Sequence, residues 1–474
     1  MSTPDSPPSL YEAREPIFPR RVKGTFRTLK WWIMAVTLGI YYITPWLRWD
    51  RGPSLPDQAV LVDIANRRFF FFMIEIWPHE FYFVAGLLIM AGLGLFLFTS
   101  AAGRVWCGYA CPQTVWTDLF ILVERWIEGD RNARVRLHKQ KWDAEKIRKT
   151  AIKWSVWFLI GLATGGAWVF YFTDAPALLR DLVTGQAHPA AYITMLILTM
   201  TTFFFGGFAR EQICIYACPW PRIQAAMMDE DTLTIGYRDW RGEPRGKLGT
   251  TGAGDCIDCM ACVNVCPMGI DIRNGQQMAC ITCGLCIDAC NDVMDKIGKP
   301  RDLIGYLALT DETRERTGLP AKSVWSHVFR PRTVLYTVLW AGIGVGLIVA
   351  LFLRSPIDLN VTPVRNPTFV TLSDGGVRNA YDIRLRNMHG QDAQFAVSVT
   401  SDAVVSLALE GKEGLTVTVP ANATMSQRIY LTAAPGTRAA GEDRTDVRIW
   451  VEELGTPNRV HHDTIFNGKE GGNG

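Results

Sequence analysis

Twelve cysteines set the chemistry open to this chain. Cys256, Cys259, Cys262 and Cys266 form a C-x2-C-x2-C-x3-C run, followed by Pro267. Cys280, Cys283, Cys286 and Cys290 repeat that run thirteen residues later. Three closely spaced thiolates can wrap one corner of a [4Fe–4S] cubane, and in two-cluster ferredoxins the fourth serves the other cluster. Cluster 1 is therefore expected on Cys256, Cys259, Cys262 and Cys290. Cluster 2 is expected on Cys280, Cys283, Cys286 and Cys266. Such clusters carry single electrons. Zinc asks for four ligands, usually in two separated pairs, and a disulfide framework asks for an oxidising compartment. Neither predicts one signature twice.

The other four cysteines form a second repeat. Cys107-Gly-Tyr109-Ala-Cys111-Pro112 and Cys214-Ile-Tyr216-Ala-Cys218-Pro219 share the pattern C-x-Y-A-C-P. Cysteines at i and i+4 share a helix face. Proline disfavours helical geometry at the residue before it, so the helix ends at the second cysteine and both thiols can face one ligand. Cys107, Cys111, Cys214 and Cys218 are candidate catalytic thiols, expected to converge as a redox or metal site. A structural turn motif is the competing reading. Tyr109 and Tyr216 could pass electrons or protons, although interfacial tyrosine needs no such role.

Other motifs are weaker. His79 with Glu80, and His188 with Pro189, flank apolar stretches and could touch copper or a quinol, but interface anchoring explains them as well. His461-His462 could bind a metal weakly, with an exposed strand end as the simpler reading. Gly342-Ile-Gly344-Val-Gly346 lies inside an apolar run, where small residues serve helix packing. No nucleotide or flavin fingerprint is present.

These residues need elements to position them. The chain has 474 residues, 48% hydrophobic and 20% charged, with a net charge of +3, too small to imply nucleic acid. Five stretches, 31–47, 81–99, 154–172, 190–208 and 334–353, approach the ~20 apolar residues of a membrane helix. No cleavable signal peptide is expected. Lys and Arg concentrate before residue 31 and in 103–150, and excess Lys and Arg mark the cytoplasmic side. The N-terminus and cluster segment are therefore expected inside and the C-terminus outside. Each C-x-Y-A-C-P follows a hairpin of two such helices, and repeated membrane units often share a site. Residues 114–128 suit an amphipathic helix, and 131–149 a solvated basic face near anionic lipid.

The expected organisation is a cytoplasmic segment (1–30), four membrane helices in two hairpins (31–234), a ferredoxin-like domain (235–305), a linker (306–333), a fifth membrane helix (334–353) and an outer domain (355–474). Glycines 246, 249, 252 and 254 suggest a flexible entry to the ferredoxin domain. Around Leu359, Tyr381, Phe395, Leu415 and Val447, apolar and polar residues alternate. Short alternating strands so spaced predict an immunoglobulin-like β-sandwich.

The chain resembles the CcoG/FixG/RdxA family, accessory factors of cbb-type cytochrome c oxidase assembly. The resemblance covers nearly the whole chain. It rests on Pro19-Arg-Arg-Val-Lys-Gly24, Trp106-Cys-Gly-Tyr-Ala-Cys-Pro-Gln-Thr-Val-Trp116, Gly242-Glu-Pro-Arg-Gly246, Gly254-Asp-Cys-Ile-Asp-Cys259 and Cys286-Ile-Asp-Ala-Cys-Asn-Asp-Val-Met294. It implies two cytoplasmic [4Fe–4S] clusters, five membrane helices, a periplasmic C-terminal domain and reduction of Cu(II) to Cu(I). It also implies copper-delivery and oxidase-assembly partners in a bacterial inner membrane. The electron donor, a quinol or a cytoplasmic reductant, is left open. Two other readings remain: a quinol dehydrogenase of the NapH/NosR type, and a non-enzymatic assembly scaffold.

Overall fold

Apolar composition makes the longest helices. The computed structural model describes residues 16–53, 55–354, 357–388 and 390–469. Among them, Pro78–Ala102, Ala144–Val169, Pro189–Ala217 and Pro331–Leu353 are four helices long and apolar enough to cross a membrane. The first expected span differs. It forms a 19-residue helix, Thr25–Ile43, that ends in a 3-10 turn carrying Pro45. Its first turns carry Arg27 and Lys30, and both are buried. They pair with Asp118 at 3.0 and 3.2 Å. A helix whose cations are held by a protein carboxylate need not present them to lipid.

The expected amphipathic helix runs Pro112–Ile127. Its apolar face packs Phe120 flat on Trp157, ring centroids 5.2 Å apart. Its Asp118 and Glu124 are buried as well. Burial alone would push the Glu124 carboxyl up, but Arg210 and Arg134 outweigh it and hold the carboxyl below its ordinary value. Arg134 thus belongs to a buried ion network with Glu124 and Glu128, not to the solvated basic face expected for 131–149.

The chain divides into two compact units, residues 1–47 with 58–347, and 48–57 with 348–474. The cysteine-rich segment thus shares a unit with the first three of these long helices and with residues 331–347 of the fourth. Strands Thr234–Tyr237 and Ile304–Leu307 pair antiparallel and close that segment at both ends. Two backbone hydrogen bonds tie the ends of the glycine-rich entry together. Gly246 N–H donates to the Cys256 carbonyl at 3.2 Å, and Gly254 N–H to the Pro244 carbonyl at 2.9 Å. The segment between the first two long helices, expected as a plain loop, forms a three-stranded sheet of Val60–Asp63, Arg68–Phe71 and Ile74–Ile76.

The second unit is an all-antiparallel sandwich. One sheet orders Ser406–Leu409, Thr424–Ala433, Val377–Asn387 and Ile357–Pro363, with Val370–Thr371 also pairing to Val377–Asn387. The other orders Thr416–Val419, Ala393–Ser401, Arg444–Glu453 and Arg459–Asn467. Side chains alternate across each sheet, so Tyr381, Ile383 and Leu385 meet Phe395, Ile449, Val451 and Phe466 in one core.

Candidate functional site

Each C-x2-C-x2-C run is bent by left-handed residues at matching places. Asp258 and Met260 have φ of 52° and 56°, and Thr282 and Gly284 have 55° and 73°. Such residues between right-handed neighbours turn successive N–H groups inward, forming concavities that hold anionic Fe–S centres. The helices Ala261–Val265 and Leu285–Lys296 then carry Cys262, Cys286 and Cys290.

The fourth cysteine of each run lies with the other run. Burial pushes the Cys290 thiol up to about 12, and Cys262, Cys259 and Cys256 add to it. Burial likewise pushes Cys266 up to about 12, with contributions from Cys283 and Cys280. Cys286 is raised well above its ordinary value, again by burial first and then by Cys283, Cys280 and Cys266. One small apolar cavity is lined by Cys262, Cys266, Cys280, Cys283 and Cys286 among others. Crowded buried thiols resist ionisation, and metal ions displace their protons. Thiol donors, inward N–H groups and an apolar shell of Ile235, Met268, Ile281 and Leu285 fit an iron–sulfur centre. Bound there, such a cluster supplies one electron at a time. Of the twelve cysteines, Cys259 alone is exposed.

The C-x-Y-A-C-P copies lie against this centre. Cys107 packs with Ile281, Cys283 and Leu285, and the half-buried Cys214, Cys266 and Cys286 join the same cluster. In the first copy the helix Val105–Tyr109 ends, Cys111 is extended (φ −60°, ψ 128°), and Pro112 opens the next helix. In the second, a π-helical turn, Ile213–Ala217, ends at Cys218, also extended (φ −78°, ψ 126°). Wide π turns recur at functional sites. The Cys107 thiol donates to Gln224 Oε1 at 3.1 Å. Burial raises its pKa, and the Arg104 cation opposes that rise. Cys107, Cys111 and Cys218 all lie within electrostatic reach of Cys214. The four are therefore neighbours. Among the described residues, however, no three His, Cys, Asp or Glu side chains converge on a point that would hold a single metal ion.

The remaining candidates have structural roles. His188 Nδ1 accepts from the Ala190 N–H at 3.2 Å and caps a helix. His79 lies in the 3-10 turn Pro78–Glu80, where Glu80 accepts from the Trp77 N–H at 3.0 Å. The His461 ring lies 4.7 Å from that of Trp450. Gly344 faces Met90 of another helix, whereas a Cβ at Gly342 or Gly346 would meet no atom of the described residues within 4 Å, so small-residue packing holds at one of the three. Arg104, Asp118, Glu124 and Asp288 escaped the sequence reading. Arg27 and Lys30 read there as part of the cytoplasmic basic segment, and their partner Asp118 lies too far along the chain for spacing to reveal.

Known proteins match along the chain. Residues 83–131 match the model of a 4Fe-4S binding domain, 209–308 that of a 4Fe-4S dicluster domain, and 347–469 that of the Ig-like fold at the C-terminus of FixG. Protein RdxB of Cereibacter sphaeroides is 74% identical over 99% of this chain and 100% of its own length. Nitrogen fixation protein FixG of Rhizobium meliloti is 54% identical over 88% of this chain and 83% of its own. Ferredoxin-type protein NapH of Escherichia coli is more distant, 25% identical over 57% of this chain and 90% of its own.

Proposed function

The chain belongs to the CcoG/FixG/RdxA family of membrane-associated [4Fe–4S] electron-transfer proteins, and on that premise we propose that it reduces Cu(II) to Cu(I) during cbb-type oxidase assembly. The observation that carries this reading is the packing of Cys107 and Cys214 with Cys266, Cys283 and Cys286 in one apolar cluster. Electron-carrying thiols there adjoin thiols with no cluster of their own. Cu(I) prefers soft thiolate and thioether ligands, so such thiols favour the reduced ion. Cys256, Cys259, Cys262 and Cys290 hold one cluster in this reading, and Cys280, Cys283, Cys286 and Cys266 the other. In this reading a reductant arrives beside the exposed Cys259, and electrons leave through the second set, none of which is exposed and which adjoins Cys107 and Cys214.

The protein sits in a bacterial inner membrane in this proposal, with Thr25–Ile43 as a fifth crossing, the clusters cytoplasmic and the sandwich periplasmic. Copper-delivery and oxidase-assembly factors are its partners. The experiment is an anaerobic titration of purified, cluster-loaded protein. Reduced protein should be reoxidised by Cu(II) and yield Cu(I). Exchange with quinol and quinone while Cu(II) is inert would overturn the proposal for a quinol dehydrogenase of the NapH/NosR type. Clusters inert to every physiological reductant and to both acceptors would leave an assembly scaffold.

A further inference from the structure

The two C-x-Y-A-C-P copies have the same spacing and touch the same apolar cluster, but they meet it with different residues. In the first copy Cys107, Gly108 and Tyr109 are all buried. Gly108 lies on the loop of the second cysteine run. A Cβ there would stand 2.6 Å from the Ile281 carbonyl oxygen and 3.1 Å from Cys283 Cα. That is closer than any side-chain carbon sits, and backbone is the obstacle, so only glycine permits the approach. The Tyr109 hydroxyl donates to the Cys283 carbonyl at 2.9 Å. Arg104, three residues before Cys107, donates to the Cys280 carbonyl at 2.9 Å and also to that of Met278. Three consecutive grips thus hold residues 280–283.

The second copy carries different residues at the corresponding places. Ile215 stands where Gly108 stands and Glu211 where Arg104 stands, so the contact glycine is lost and the charge is inverted. Tyr216 is 58% exposed and Tyr109 is 4% exposed. The second copy instead borders an open cleft lined by Phe18, Glu211, Ile215, Tyr216, Cys266 and Met268 among others.

We propose that the duplicated motif has divided its roles: the first copy alone clamps and tunes the Cys280–Cys283 loop, with Arg104, Gly108 and Tyr109 as positioning residues, and the second copy forms the solvent-facing side. Outer hydrogen bonds and nearby charge tune a metal centre as much as its ligands do. A cation beside a centre that gains an electron stabilises its reduced form. Gly108 sets how near Cys107 comes to the loop, and a misplacement of about an ångström can cost ~100-fold in rate. The clamp itself does not depend on copper being the acceptor.

The test is an electron paramagnetic resonance redox titration of the cluster-loaded full chain without copper. Matched variants are Tyr109→Phe with Tyr216→Phe, and Arg104→Gln with Arg104→Lys. Tyr109→Phe should shift the midpoint and signal shape of one cluster only, the one that Cys266→Ser abolishes, and Tyr216→Phe should shift neither. Arg104→Gln should lower that same midpoint, and Arg104→Lys should restore most of it. Gly108→Ala, which forces the loop backbone away, should shift the midpoint of that same cluster. If Gly108→Ala does not fold, Tyr109→Phe, which removes one hydroxyl, decides. Equal shifts from the two tyrosine variants, a shift confined to the other cluster, or no shift from Tyr109→Phe would each overturn the proposal. Because no copper is present, failure of the copper reading leaves these outcomes unchanged.

Discussion

The Asp288 carboxylate accepts the Arg27 N–H at 2.8 Å, although the two residues lie 261 positions apart. It also accepts the Phe26 N–H at 3.3 Å. Asp288 stands between Cys286 and Cys290, and Arg27 lies in the first turn of the Thr25–Ile43 helix. The first N–H groups of a helix lack internal partners and favour a negative charge. A residue of the cysteine run therefore caps a helix that is remote in sequence. Gly24 lets the two approach, since a Cβ there would stand 2.2 Å from Asp288 Cγ. The segments Pro19-Arg-Arg-Val-Lys-Gly24 and Cys286-Ile-Asp-Ala-Cys290 thus meet in one contact.

Asp288→Ala should lower stability by about 1–2 kcal/mol, as loss of a cap does. Asp288→Asn keeps an acceptor oxygen and should cost less. Denaturation of the detergent-solubilised protein, followed by cluster absorbance, measures both. Equal stability of the alanine variant and the parent would refute the cap.

Asp118 holds Arg27 and Lys30 in a buried site. Asp118→Ala leaves two buried cations unpaired and should cost about 3–5 kcal/mol. The triple change Asp118→Leu, Arg27→Met, Lys30→Met removes all three charges and should recover much of that loss. Yield and melting temperature in detergent check the pair of outcomes. A benign single change with a damaging triple change would show that the charges do not act as a unit.

The crossing of the two runs has a spectroscopic consequence. Loaded protein should hold about eight irons per chain. Cys266→Ser should abolish the signal of the cluster on Cys280, Cys283 and Cys286, and Cys290→Ser that of the other. Loss of the sequence-adjacent cluster in either variant would contradict the crossed arrangement.

Orientation rests on loop charge. Reporter fusions after Lys247 should be active as cytoplasmic fusions, and those after Leu359 as periplasmic ones. The reverse pattern would put the cysteine runs outside.

The cysteine runs were legible because cluster ligation demands ligand type and spacing together. The sandwich was legible because its strands alternate with period two, as at Tyr381, Ile383 and Leu385. The Thr424–Ala433 strand escaped because its buried Gln427 breaks the apolar pattern. The Val60–Ile76 sheet escaped because Phe69-Phe-Phe-Phe72 is a continuous run with no alternation. Arg134, Glu124 and Asp118 read as solvated charge, since a sequence shows a charge but not its partner across the fold. The two C-x-Y-A-C-P copies read as equivalents, and the contacts of Arg104, Gly108 and Tyr109 with residues 280–283 separate them.

The most direct test of the proposed function is a single-turnover count. Protein with both clusters loaded is reduced, freed of reductant and mixed anaerobically with excess Cu(II) and a Cu(I)-specific chelator. Two one-electron centres should yield about two Cu(I) per chain, appearing as the reduced-cluster signals vanish. Clusters that stay reduced while no Cu(I) forms would contradict it.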